Sequence, residues 1–166
     1  MVSIQHINHK QRANVDTIWQ ILETVTDPEI PVLTIQDLGI VRAVDIGDDG
    51  GITVTITPTY TGCPAMDMIA TQIRLALAEY QSVTVKTVLS PAWTTDWMTE
   101  TGKAKLQQYG IAPPKGHAGQ VPVDGVECPL CHSTHTKLLS EFGSTACKAL
   151  YQCQDCKEPF DFFKCH

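Results

Sequence analysis

Two cysteine pairs near the end of the chain, Cys128-Pro-Leu-Cys131 and Cys153-Gln-Asp-Cys156, constrain this sequence more than any other feature. A Cys-x-x-Cys spacing lets one tight turn present two thiolates to a single metal, and two such turns complete a tetrahedron. The gap between the pairs slightly exceeds the ~15–20 residues usual for such ribbons, a difference that a longer hairpin absorbs. The spacing therefore predicts a four-cysteine zinc ribbon over residues 127–166. An all-sulfur tetrahedral set also suits iron or a cluster, which stands as the second choice. About forty residues cannot bury enough core alone, so metal binding is expected to drive this unit's folding.

The chain starts with polar residues, and no apolar stretch reaches membrane-span length. These features predict neither signal peptide nor membrane anchor and point to a cytoplasmic, reducing setting. There, clustered cysteines indicate metal or redox chemistry rather than disulfides. A net charge of −6 without any basic run argues against a nucleic-acid partner.

Upstream of the ribbon, Ala112 to Pro122 is rich in Pro and Gly without periodicity, which predicts a linker over 113–126. Residues 1–12 read as a tail and 13–112 as the first domain. Val15, Ile18, Trp19, Leu22 and Val25 repeat at helical spacing behind Asn14, a suitable N-cap, and Asp27-Pro28 stops the run. Ile40 to Ile46 is strand-like, Asp48-Asp49-Gly50-Gly51 is a hairpin turn, and Ile52, Val54 and Ile56 alternate with threonines as in a half-buried strand. Met66, Ile69, Ile73 and Leu77 mark a second helix, Val83 to Leu89 a third strand, and a short helix ends at Gly110. This order predicts an α+β domain, a small mixed sheet with helices packed on it, followed by the ribbon.

Cys63 stands apart, in Thr59-Tyr60-Thr61-Gly62-Cys63-Pro64, between a strand and the second helix. A thiol at a helix N-terminus meets unpaired N–H groups, which favour its thiolate; Asp67, one turn on, opposes this. A buried, inert cysteine is the alternative. A cluster generally needs four protein ligands, and this domain has one cysteine. If Cys63 binds iron or a cluster, a second copy, a partner or a client must complete the site. Cys147 and Cys165 read either as spare ligands or regulatory thiols, or as ordinary strand and terminal residues. His132 and His135 flank the first pair, but four cysteines already saturate zinc. His6, His9, His117 and His166 fall in tail, linker or terminus.

Asp27-Pro-Glu-Ile-Pro-Val32, Asp37-Leu-Gly-Ile-Val41 and Thr61-Gly-Cys-Pro64, in that order, resemble the SufT-like family of metal–sulfur cluster assembly factors. The likeness spans about residues 13–112. It implies a small α/β fold with Asp27, Glu29, Thr61 and Cys63 as the site, and a transient cluster or iron at Cys63. Three further segments, Ser90 to Met98, Tyr109 to Pro114 and Glu141 to Tyr151, resemble the accessory proteins encoded with the bacterial ring-1,2-phenylacetyl-CoA epoxidase. That narrower resemblance implies a role in phenylacetate catabolism. The partners it implies are epoxidase components, above all the iron–sulfur flavin reductase, with a homodimer as a further expectation.

The reading that follows is a non-catalytic maturation factor. A structural or electron-transfer subunit of the epoxidase is the runner-up. An enzyme with Cys63 as nucleophile lacks a companion base, because every histidine lies outside the expected core. A nucleic-acid-binding ribbon lacks the charge.

Overall fold

The computed structural model describes residues 14–115 and 125–164. The N-terminal tail, most of the expected linker, Cys165, and His6, His9, His117 and His166 lie outside them.

Helix α1 (Val15–Leu22) starts where Asn14 accepts a hydrogen bond from the Asp16 N–H, and it buries Ile18 and Leu22 completely. It is shorter than the apolar repeat predicts. Val25 is buried, but from the turn that follows the helix. Strands β1 (Val41–Ile46) and β2 (Ile52–Ile56) pair antiparallel through the expected hairpin, in which Gly50 takes a φ of +78°. Helix α2 (Ala65–Ala76) buries Ile69 and Ile73 and carries the chain to β3 (Val83–Thr87), which joins β2 in parallel. The sheet, in order β1-β2-β3, is therefore mixed, as expected. Helix α1 lies against β1, α2 against β3, and the two helices touch each other. Burying each of these aliphatic side chains contributes about 1.5–3 kcal/mol.

A 3-10 turn (Thr95–Trp97) leads into α3 (Glu100–Tyr109), which ends at Gly110 with φ +87°, the left-handed cap read from the sequence. Leu106 and Ile111 on either side of that cap are both buried in the main core. Asp37 ties α3 to the loop before β1. Its carboxylate accepts hydrogen bonds from the Thr34 N–H (3.0 Å), Thr99 Oγ1 (3.2 Å) and Lys105 Nζ (2.5 Å), and its carbonyl accepts from the Thr99 N–H. Gly102 is required at this crossing, since a Cβ there would lie 2.9 Å from both the Asp37 Cβ and carbonyl.

The second sheet contains β4 (Ile111–Ala112), β5 (Thr136–Ser140), β6 (Lys148–Cys153) and β7 (Pro159–Phe163) in the order β4-β7-β6-β5. Strand β4 pairs parallel with β7. The end of the expected first domain thus belongs to the ribbon's sheet. The two units also share a core: Cys147 and Phe163 are buried in the same cluster as Ile18, Leu22 and Ile69. Phe163 meets Trp93 edge-on, with ring centroids 6.2 Å apart, and Trp93 Nε1 donates to the Leu38 carbonyl at 2.8 Å. No helix among the described residues is long and apolar enough to cross a membrane.

Candidate functional site

The ribbon cysteines come together as the spacing predicts. Their four Sγ atoms lie within 4.8 Å of one another. Cys128 and Cys156 are 3.8 Å apart and Cys131 and Cys153 3.5 Å apart. A tetrahedron with Zn–S bonds of ~2.3 Å has edges of roughly 3.8 Å, so the set fits zinc. The two turns are alike. Each second cysteine is followed by a residue in the left-handed region, His132 (φ 62°) and Lys157 (φ 68°), which swings the chain back past the metal position. Burial opposes ionisation of Cys153, but the Cys156 and Asp155 N–H groups and the neighbouring thiols outweigh it, bringing its pKa down to about 6. His132 and His135, which flank the first pair, bond Glu127 and Asp155 on the surface.

The second site forms where three segments meet. Asp27 closes the turn that follows α1: its Oδ1 accepts from the N–H groups of Glu29 and Ile30, both at 2.8 Å. Pro28 and Pro31 stiffen that turn, and its outcome is a buried carboxylate beside a half-buried one. Burial raises the pKa of Asp27 against its backbone hydrogen bonds. It also raises that of Glu29, with Asp27 adding to the effect. The cation that offsets both is Lys148 of β6, whose side chain is 5% exposed and whose Nζ lies 3.5 Å from Asp161. A ribbon lysine therefore balances acids of the first domain.

Cys63 is half-buried directly before α2, where Pro64 is the N-cap. Burial is the largest influence on its thiol and raises the pKa. The Ala65 N–H and the Tyr60 and Thr59 hydroxyls pull the other way, Glu29 pushes upward, and the net direction is up. Burial thus overrides the helix-terminus effect expected from the sequence. The Tyr60 hydroxyl, bonded to Cys63, is itself pushed up to about 12, first by burial and then by Cys63, Glu29 and Cys147.

Of the four residues implied by resemblance, Asp27, Glu29 and Cys63 share this neighbourhood. Thr61 is exposed on the turn ahead of Cys63, and the threonine that bonds the thiol is Thr59. Sequence reasoning missed Lys148 and the position of Cys147. The signal available was the compact run Ser144-Thr-Ala-Cys-Lys148, which carries a thiol and a cation together.

An open cleft of about 640 Å³ borders the site at Glu29 and Lys148. Tyr109 lines it from α3, and Phe142, Phe160 and Asp161 line it from the ribbon.

Comparison with known proteins agrees with both halves. Residues 15–90 match the family described as iron-sulfur cluster assembly protein, and residues 112–164 match the PaaD zinc beta ribbon domain. The chain is 52% identical over 155 residues to an Escherichia coli K12 protein provisionally named as a subunit of 1,2-phenylacetyl-CoA epoxidase, covering 91% of this chain and 93% of that one. The chain belongs to the PaaD family of iron–sulfur cluster assembly proteins. Within that family's wider relations, a Porphyromonas gingivalis Fe-S protein maturation auxiliary factor is 36% identical, over 60% of this chain and 97% of its own. A Bacillus anthracis crystal structure of a domain of unknown function, DUF59, matches with TM-score 0.52 and 27% identity over 55% of this chain and 90% of that one. The PaaD ribbon match and the four-thiol geometry agree on zinc held by Cys128, Cys131, Cys153 and Cys156.

Proposed function

We propose that this protein matures an iron–sulfur centre in a phenylacetyl-CoA epoxidase system, with the iron–sulfur flavin reductase component as client. The carrying observation is the contrast within one chain: a complete four-thiol zinc site, and an incomplete thiol site at Cys63, which feels the charge of Glu29. A metal held by one or two protein thiols keeps open positions, and open positions let it move to another set of ligands. Residues 15–90, which contain Cys63, match the iron-sulfur cluster assembly family, and the Escherichia coli relative's name supplies the epoxidase context. Thiol chemistry of this kind needs a reducing setting, so a cytoplasmic location belongs to the same reading.

Three groups have distinct roles. Cys63 takes iron as a thiolate, giving its proton to solvent as the bond forms. Asp27 holds the turn that presents Glu29, and Lys148 offsets part of the negative charge of these acids. The test is the iron and acid-labile sulfide content of the reductase produced with the wild-type protein, with Cys63→Ala, or alone. Full occupancy only with the wild type is expected; a fully loaded reductase in either other case overturns the proposal. The Escherichia coli relative's name favours a second reading, a stoichiometric subunit, which predicts a loaded reductase but an inactive complex in the chain's absence.

A further inference from the structure

The cleft that borders Glu29 is built by both units. Its floor is a row of side chains on the second sheet, because the register sets Ile111 of β4, Asp161 of β7 and Leu150 of β6 side by side. Two aromatic side chains line it while staying more than half exposed, Tyr109 at the end of α3 (55%) and Phe142 after β5 (64%). Large apolar side chains left open together around a concavity mark an interaction site, whereas scattered ones do not. Asp161 is committed to the fold. Its Oδ2 accepts from Ser144 Oγ at 3.0 Å and lies 3.5 Å from Lys148 Nζ, and its Oδ1 closes on Gly143, where a Cβ would collide with it. Glu29 is uncommitted: among the described residues none donates a hydrogen bond to its carboxylate, and Lys148, the cation that offsets it, is only 5% exposed. The lining thus carries two carboxylates and one covered ammonium, which attracts a visiting cation and repels a phosphate-bearing ligand. Burial and Asp27 raise the Glu29 pKa more than Lys148 lowers it, the sign of a carboxylate short of positive charge.

We propose that this cleft docks a segment of a partner protein through an arginine flanked by an apolar residue, the guanidinium meeting Glu29 and the aromatic walls, the apolar neighbour lying on Leu150. Arginine fits better than lysine, because its planar fork meets a carboxylate with two N–H groups while its face stacks on an aromatic ring. Phe142 already takes a cation in this way: Lys164 Nζ sits 4.5 Å from its ring centroid. An open cleft whose floor runs from strand to strand suits an extended chain rather than an enclosed small molecule. That this partner is the iron–sulfur client rests on the maturation reading above; the docking chemistry does not.

The test probes the zinc-loaded full-length protein with an immobilised library of seven-residue peptides, acetylated and amidated, whose central position carries each of the twenty side chains among varied neighbours. Arginine-centred peptides with an adjacent leucine or phenylalanine are expected to be retained, and the best of them gives an affinity by fluorescence anisotropy. Glu29→Gln is expected to weaken that affinity about tenfold or more, as for loss of a charged hydrogen bond. Tyr109→Ser and Phe142→Ser are each expected to weaken it about two- to fivefold, all three variants keeping zinc and a cooperative melt. Retention of acid-centred or lysine-centred peptides ahead of arginine, or of none, overturns the proposal. So does wild-type affinity in folded Glu29→Gln, or in both Tyr109→Ser and Phe142→Ser. A wild-type dimer in sedimentation that Phe142→Ser dissociates also overturns it, because a second copy would then cover the cleft. The reductase takes no part in these measurements, so the docking chemistry can fail while the maturation reading stands, and the reverse.

Discussion

The two cysteine centres differ in how much of the coordination sphere the chain supplies. At the ribbon, two matching turns deliver four sulfurs at tetrahedral spacing, so the metal has no position left to exchange. Around Cys63, the chain supplies thiol, carboxylates and a lysine from three segments, but no converged ligand set. At a closed site the binding free energy goes into folding, whereas an open one leaves the metal able to move. The difference also appears in the acids of the first domain. Asp37 commits both oxygens to Thr34, Thr99 and Lys105 and fastens α3. Asp27 uses Oδ1 to shape its own turn and is buried, with burial pushing its pKa up and the ribbon's Lys148 offsetting its charge only in part.

The largest effect that can break this contrast is loss of the ribbon metal. Cys128→Ser combined with Cys156→Ser is expected to abolish zinc binding and unfold the ribbon, since structural zinc contributes about 10–16 kcal/mol in comparable small domains. Cys63→Ala, by contrast, is expected to cost about 1 kcal/mol and no zinc. Elemental analysis with thermal melting checks both, and retained stoichiometric metal in the double variant contradicts the closed site.

Phe163→Ala comes next. It removes a fully buried ring from the shared core, with an expected loss of about 3–5 kcal/mol while the zinc stays bound. A loss below about 1 kcal/mol would mean that the two units do not stabilise each other.

The smallest effect separates the two aspartates. Burial pushes Asp37 up, but Lys105 and Thr34 outweigh it and hold its pKa below 3.8. A depressed folded-state pKa gives stability that is present above the unfolded value and lost as pH falls through the folded one. Asp37→Asn is therefore expected to cost about 1–3 kcal/mol at neutral pH, a cost that fades in acid. The raised pKa of Asp27 has the opposite sign: its ionised form burdens the folded state, and stability is gained as pH falls through the raised value. Asp27→Asn, which keeps an oxygen for Glu29 and Ile30, is expected to be neutral or stabilising at neutral pH. Denaturant titrations at neutral and acidic pH distinguish the pair.

Elements governed by local chemistry were readable without coordinates. The apolar repeat of α2, the Gly50 turn, the Gly110 cap and the paired Cys-x-x-Cys turns all follow from short-range spacing. What depends on long-range packing was not. Nothing local marks Ile111-Ala112 as a ribbon strand, because its partner Asp161-Phe162 is far along the chain. Cys147 is an unremarkable strand-edge residue until Phe163 and Trp93 bring the ribbon onto the first core. The Cys63 thiol illustrates a competition of magnitudes: the helix terminus is visible in sequence, but the burial that outweighs it is not.

The most direct test of the account asks when the protein is needed. A phenylacetyl-CoA epoxidase system is matured in the presence of this protein, then purified away from it and assayed with and without adding it back. A factor whose open thiol site loads the client is dispensable at that stage, so full activity without add-back is expected, together with an inactive, iron-poor reductase when maturation uses Cys63→Ala. Activity that returns only on stoichiometric addition of the protein would contradict the account and make the chain a working subunit of the complex.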